Sequence, residues 1–386
     1  MKKTLTKEDS KIIFIISLGI ILRFWAMAYG SNYDFESYCI VGDLVTRFQN
    51  VYASTERYNY GPIFFYIQGF LYFLSNHISN DPIQTYRVLI VSLLTLTDLG
   101  ITFFIASKYN IKTALLFFLN PISIIITGYH NQFDNMAILI GLLALLYYNE
   151  DEKFSKKDIA FVCLLSLSLI VKHILFILPA FLLFNKYLPL KKKIVYSFIP
   201  PIIIILSFVP FALEIRASFE GIMIHVFFYK SSKNSPLLGF LFNILGIDTG
   251  YIHVLLYMLI MLGFSILLRK VEFKKQFYFY LILMVAFSSA IANQYLIIPL
   301  AALYIFELKG FRIFYLLWNL IFLFLNSDEL NLIEYVSQNC SSAVNTVARA
   351  ILIYGYTVSA WILFFAFLYE MIHKRKEYFN VKVKEN

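Results

Sequence analysis

IIFIISLGIILRFWAMAYGSNYDFESY, residues Ile12 to Tyr38, decides the fold. Its apolar part ends at Tyr29 and is close to the ~20 residues that a helix needs to cross a hydrocarbon core. The charged start MKKTLTKEDSK precedes it and no small-residue cleavage site follows. It therefore reads as a retained first helix and not as a removable signal peptide. Asp34 and Glu36 come a few residues past its end. An ionisable group held so close to hydrocarbon is a functional-site hypothesis by default.

The rest of the chain has the same character. Of its 386 residues, 60% are hydrophobic and 15% charged, and the mean hydropathy is +0.70. Soluble domains carry about 25% charged residues, so the expected class is an all-α, polytopic transmembrane bundle. No polar block of soluble-domain size interrupts it, and residues 1–386 read as one integral-membrane domain. The net charge of +9 does not point to nucleic acid, because the cations sit in short connections between apolar runs, as in cytoplasmic membrane loops. Cys39, Cys163 and Cys340 have no metal-like spacing. Cys39 and Cys340 are either an outer-face disulfide or inert thiols.

Charge also orders the topology. The N-terminus, the turn at Lys108 and Lys112, the stretches near 153–157, 186–193, 269–275 and 309–312, and the C-terminal tail hold 24 of the 33 Lys and Arg. By the positive-inside rule these face the cytoplasm. The chain is then outside near Gly30 and inside at Lys108, which permits one crossing between them. We assign it to 85–106 and leave 61–76, which begins Gly61-Pro62, as an interfacial helix on the outer surface. The outer loop spans about 30–84, and long loops concentrate function. Further crossings are expected near 113–127, 135–149, 159–171, 174–185, 194–214, 252–268, 277–291, 293–306, 313–326 and 345–369. The bundle thus has about 10–13 helices, several shorter than a full span.

Polar residues collect on the outer side of this scheme. Asp34 and Glu36, which share their loop with Asp43 and Arg57, are two residues apart, so on a helix they point in different directions; one can meet a substrate while the other holds structure. The bland alternative is a solvated loop. In NPISIIITGYHNQFDNMAIL (Asn120 to Leu139), Pro121 breaks the helix and His130, Asn131, Gln132 and Asp134 crowd into one turn. They form either a binding site or a hydrogen-bonded turn, and their spacing assigns no metal. Lys172-His173 interrupts a long apolar run, where a lysine must reach water, a carboxylate or a phosphate, or snorkel along its stem. Lys230 and Lys233 break the positive-inside trend and invite an anionic ligand. Gln294 and Tyr295, after Asn293, either bind a sugar or cap a helix. No phosphate loop, HExxH, GxSxG or CxxC motif is present.

Four of these elements, in order, resemble the GT-C superfamily of integral-membrane glycosyltransferases, in the flavour that includes the dolichyl-phosphate-glucose and dolichyl-phosphate-mannose transferases. DFESY (Asp34 to Tyr38) resembles that group's D-[FY]-E element, and YNYGPIFFY (Tyr58 to Tyr66) its aromatic, Pro-bearing run. HNQFDNMAIL (His130 to Leu139) resembles H-x-Q-[FY]-[DN], and SSAIANQYLIIPLAAL (Ser288 to Leu303) a P-Q-Y-L element. The similarity covers about 30–140 well and the remainder loosely. The chain departs from the pattern at Gly61, where Pro is usual and where we expect a looser start to the interfacial helix. It departs again at Asn293 and Ile297, which bear on donor contacts.

The resemblance implies a polyprenyl-phosphate-linked sugar as donor, a glycan or glycolipid acceptor, surrounding membrane lipid, and neither cofactor nor metal. It implies Asp34 as the general base of an inverting displacement, with Glu36 and Asp134 orienting it or binding sugar. Lys172, His173, Arg57, Lys230 and Lys233 become candidate cations for the departing phosphate, and His130, Gln132, Gln294 and Tyr295 candidate sugar contacts. The location implied is the plasma (inner) membrane with the site extracytoplasmic. The runner-up is a secondary transporter or flippase of lipid-linked glycans, although transporters tend to show paired broken helices at matching positions in two halves, and here the polar residues load onto one side.

Overall fold

The computed structural model describes residues 6–227, 236–245, 252–327, 330 and 332–379. All regular structure among them is helical. The chain divides into two compact units. The first holds the described residues up to 227 except 120–122 and 184–187, and the second holds those two stretches and the described residues from 236 onward.

In the first unit, α1 (Lys7–Ala28) begins at a capping box between Thr6 and Asp9. Next come α2 (Tyr33–Thr46), capped by Asn32, and the short α3 (Val51–Ser54). α4 (Pro62–Ile78) and α5 (Pro82–Lys108) both start on proline, at the position where a missing N–H has no helical partner to lose. α6 (Ile111–Phe118) and α7 (Pro121–Gly128) form one apolar run bent by 47°, with the break at the expected Asn120-Pro121. α8 (Asp134–Leu145) and α9 (Lys156–Val171) follow, then a 3-10 turn (His173–Leu175) and α10 (Leu178–Phe184). α11 (Leu190–Ala212) contains Pro200, Pro201 and Pro210, and α12 (Arg216–Gly221) runs into a π-helical turn (Ile222–Phe227).

Close approaches fix this unit. α2 lies along α4 at Gly42 and Gly69, where an added Cβ would meet Tyr72 at 2.7 Å and Val45 at 2.2 Å. α5 packs against α4, α6 and α8, and α9 against α8 and α11. Lys192 of α11 reaches Asp158 of α9 at 2.6 Å, and Tyr196 donates its hydroxyl to the same carboxylate. The expected crossings 159–171 and 174–185 form a pair bent by 114° at Lys172 instead of two successive straight helices.

The second unit comprises α13 (Pro236–Ile244), α14 (Ile252–Leu267), α15 (Phe273–Phe287), a 3-10 turn (Asn293–Ile297) and α16 (Leu300–Ile305). α17 (Lys309–Leu325), α18 (Leu332–Asn339), α19 (Ser342–His373) and α20 (Arg375–Phe379) complete it. α15 is buried from Gln276 to Phe287, and Gly355 lets α19 close on Phe322 of α17.

Among the described residues, four helices are long and apolar enough to cross a membrane: α1, α5, α11 and α19. Counting α6–α7 and α9–α10 as one bent span each raises the number to six. In α1 only 17% of the apolar window is buried inside the protein, against 56% in α5, so α1 turns most of its surface to the surroundings and α5 is central. Such surfaces are consistent with a membrane protein. All three cysteines are free thiols.

Candidate functional site

The site is built from two chain breaks in the first unit, the start of α2 and the turn between α7 and α8. α7 ends at Gly128, whose absent side chain lets it press on α1: an added Cβ would lie 2.3 Å from the Arg23 carbonyl oxygen. The chain reverses through Asn131, in the left-handed region at φ 54°, a conformation that Asn tolerates better than most residues. Asn131 Nδ2 donates to the carbonyls of Thr127 (3.2 Å) and Gly128 (2.7 Å), closing the end of α7.

This turn carries His130 and Gln132 to Asp34. Gln132 Nε2 donates to Asp34 Oδ2 at 2.5 Å and to the His130 carbonyl at 3.3 Å. Asn32 does two jobs: its Oδ1 accepts from the Asp34 N–H (3.2 Å), and its Nδ2 donates to Asp34 Oδ2 (3.1 Å). The same Nδ2 lies 3.3 Å from His130 Nδ1. An amide nitrogen only donates, so Nδ1 accepts and the proton resides on Nε2. Burial pushes the His130 imidazole down to about 4, so it is neutral at pH 7. Asp34 is half-buried on the first turn of α2, where a helix N-terminus favours an acidic side chain. Its Oδ2 is held by two amides, while Oδ1 accepts no hydrogen bond from the described residues.

Glu36 diverges from Asp34 as the helical spacing requires. It is 68% exposed and pairs with Arg57 at 3.3 Å. Arg57 also donates to Ser37 Oγ and to the Tyr33 carbonyl, both at 3.0 Å, and its guanidinium lies 3.6 Å over the Tyr33 ring.

Lys172 resolves its dilemma by finding a carboxylate. Its Nζ lies 2.6 Å from Asp134 Oδ2, both side chains being buried, and it sits over the rings of Phe133 (4.4 Å) and Tyr60 (4.9 Å). Tyr60 gets there through Gly61, where an added Cβ would lie 1.9 Å from the Ile170 carbonyl oxygen. The Gly61 carbonyl in turn accepts the Tyr58 hydroxyl at 2.6 Å. The looseness expected at Gly61 is thus corrected: the glycine allows the start of α4 to dock on the end of α9. His173 is exposed, with its ring 6.3 Å from that of Tyr60. Tyr38, one turn along α2 from Asp34, lies within electrostatic reach of Asp34, Tyr60 and Asp134. Four buried polar atoms here have no hydrogen-bond partner among the described residues: Tyr38 Oη, Asn131 Oδ1, Gln132 Oε1 and Asp134 Oδ1.

A second buried network supports the turn from below. Asp98 of α5 accepts from Arg23 Nε (3.0 Å) and Nη2 (2.8 Å), Ser123 (3.0 Å) and Thr127 (2.8 Å) on Oδ2, and from Asn135 (2.6 Å) on Oδ1. Arg23 further donates to the Gly19 carbonyl at 3.0 Å. α1, α5, α7 and α8 are thereby tied together immediately beside Gln132 and Asp134.

The structure therefore brings Asp34, His130, Gln132, Asp134 and Lys172 into one cluster with Glu36 and Arg57 at its rim. Gln294 and Tyr295 belong to the second unit, half-buried on its 3-10 turn. There Asn293 Oδ1 accepts from Asn326 (2.9 Å) and Tyr356 (2.5 Å). Lys230 and Lys233 lie outside the described residues. Asn32, Tyr38, Tyr60, Arg23 and Asp98 were not singled out from sequence. A signal existed for the last two: one Arg and one Asp, each alone in an apolar helix, must find partners. Among the described residues no three His, Cys, Asp or Glu gather as metal ligands. Comparison with known proteins finds no matching family, no matching curated protein and no matching solved structure.

Proposed function

We propose that the protein is an inverting glycosyltransferase of GT-C type, moving a hexose from a polyprenyl-phosphate carrier to a lipid-linked or cell-surface glycan. In this reading it is a multi-pass protein of about 10–13 membrane helices in the plasma (inner) membrane. The site opens on the extracytoplasmic face, and α2 to α4 form its outer, partly interfacial layer. The motif resemblance supports the family. The observation that carries the chemistry is the state of Asp34, with Oδ2 anchored by Asn32 and Gln132 and Oδ1 left open. A general base needs that arrangement, one oxygen fixing direction and the other meeting the proton.

As the acceptor hydroxyl oxygen attacks the anomeric carbon, Asp34 takes its proton. The bond from carbon to phosphate oxygen breaks, and the polyprenyl phosphate leaves with the electron pair. The phosphate is already a good leaving group, so positioning, a base and a cation suffice. Lys172 is engaged by Asp134, which leaves Arg57 at the rim and Lys230 and Lys233 as candidates for the leaving charge.

The buried Lys172–Asp134 pair favours a second reading, transport or flipping of lipid-linked glycans, since such pairs also mark pathways through membranes. One experiment separates the two. The purified protein in vesicles is given labelled polyprenyl-phosphate glucose, mannose or galactose with a glycolipid acceptor. Glycosylated product of inverted anomeric configuration is the expected result; carrier movement across the bilayer without product would replace transfer by transport.

A further inference from the structure

Three residues within hydrogen-bond or electrostatic reach of Asp34, namely Tyr38, Gln132 and Asp134, each keep a buried polar atom without a partner among the described residues. Gln132 presents its nitrogen to two acceptors, the Asp34 carboxylate and the His130 carbonyl. The orientation of its amide is therefore set by its neighbours, and Oε1 is the atom left over. Asp134 gives Oδ2 to Lys172 and keeps Oδ1 unpaired. The Tyr38 hydroxyl is buried without a partner among the described residues, and its ring stands edge-on to that of Phe133 at 6.3 Å. Native proteins rarely leave buried polar atoms unpaired, and three unpaired atoms with Asp34 and Asp134 among their neighbours demand donors.

What donors fit follows from charge. A phosphate brings only acceptor oxygens and negative charge, and two aspartates and an amide oxygen repel it. The nearby cation is neutralised by Asp134 and covered by Phe133 and Tyr60. An uncharged polyol brings hydroxyls that donate to Asp134 Oδ1 and Gln132 Oε1 and exchange hydrogen bonds with Tyr38.

We infer that Tyr38, Gln132 and Asp134 form a subsite for the hydroxyls of an uncharged sugar, and that the phosphate of the donor docks elsewhere. The inference deepens the transfer reading and rests on it for the identity of the sugar. The three atoms are closed off from solvent in this state, so the sugar reaches them as side chains around half-buried Asp34 give way.

The test uses the full-length protein in lipid nanodiscs and measures equilibrium binding of methyl glucoside, methyl mannoside, methyl galactoside and polyprenyl monophosphate. Tyr38→Phe removes a hydroxyl that no protein group uses, so its melting temperature should hold. The expected result is that one hexoside binds and that Tyr38→Phe and Asp134→Asn each weaken it roughly 10- to 100-fold, with polyprenyl monophosphate unchanged in Tyr38→Phe. Hexoside binding that ignores Tyr38→Phe, absence of hexoside binding to the wild type, or a parallel loss of polyprenyl monophosphate overturns the subsite. So does a lower melting temperature of Tyr38→Phe with binding intact, which identifies ordered water as the occupant. Transfer assays on the same samples keep the two claims apart: hexoside binding without transfer sinks the reaction and keeps the subsite, while transfer indifferent to Tyr38→Phe does the opposite.

Discussion

Asp98 and Asp134 are both fully buried carboxylates that meet a cation from elsewhere in the chain, Arg23 of α1 and Lys172 at the end of α9, yet they are treated oppositely. Asp98 is saturated, with hydrogen bonds from Arg23, Ser123 and Thr127 on one oxygen and Asn135 on the other. Asp134 has one oxygen on Lys172 and, among the described residues, no hydrogen bond to the other. The two environments meet in adjacent residues, since Asn135 serves the first network while Asp134 belongs to the second. A saturated buried carboxylate cements helices; an under-coordinated one keeps an acceptor free, which is what the proposed sugar subsite uses. The first region holds the frame in which the second can leave its acceptors open.

Substitutions test the contrast, beginning with the largest expected effect. Asp98→Ala strands Arg23 without its carboxylate, which in buried pairs costs about 3–5 kcal/mol. The variant should melt far below the wild type or fail to yield monodisperse protein, and wild-type melting would remove the cementing role. Gly61→Ala comes next, because its Cβ would meet the Ile170 carbonyl oxygen at 1.9 Å and overpacking costs about 1–3 kcal/mol. Its melting temperature should fall, and sugar binding should weaken with it as Tyr60 is pushed off Lys172.

A gentler effect concerns acid. Burial holds His130 at about 4, against 6.5 for a free imidazole. The unfolded chain therefore binds a proton that the folded one refuses between those values. Stability from this group is level above pH 6.5 and is lost as pH falls toward 4. Melting curves across that range should decline more steeply for the wild type than for His130→Gln. Glu36→Gln should do least, since Glu36 is exposed and its partner Arg57 only half-buried, and surface pairs contribute about 0–1 kcal/mol; its melting temperature should hold.

Much of this was legible from local chemistry. Apolar composition and run length gave a helical membrane protein, Asn120-Pro121 gave the break between α6 and α7, and spacing gave the divergence of Asp34 from Glu36. The crowding of His130, Gln132 and Asp134 marked the turn that reaches α2. What escaped depends on partners distant in sequence. Lys172 was known to need a partner but not that Asp134, 38 residues away, supplies it. Gly61 looked like a weakness because nothing local shows that the Ile170 carbonyl packs on it. The bend of 114° at Lys172 is also a tertiary outcome, since an apolar run reads the same straight or folded back. The saturation of Asp98 needs four helices to meet, which no single stretch of sequence displays.

The most direct measurement is turnover of a labelled polyprenyl-phosphate hexose by wild type and Asp34→Asn, with melting temperatures taken on the same preparations. Loss of roughly 10²–10⁴-fold in rate, the contribution of a general base, at an unchanged melting temperature is the expected result. Equal turnover by the two proteins would contradict the role given to Asp34 and, with it, the proposed reaction.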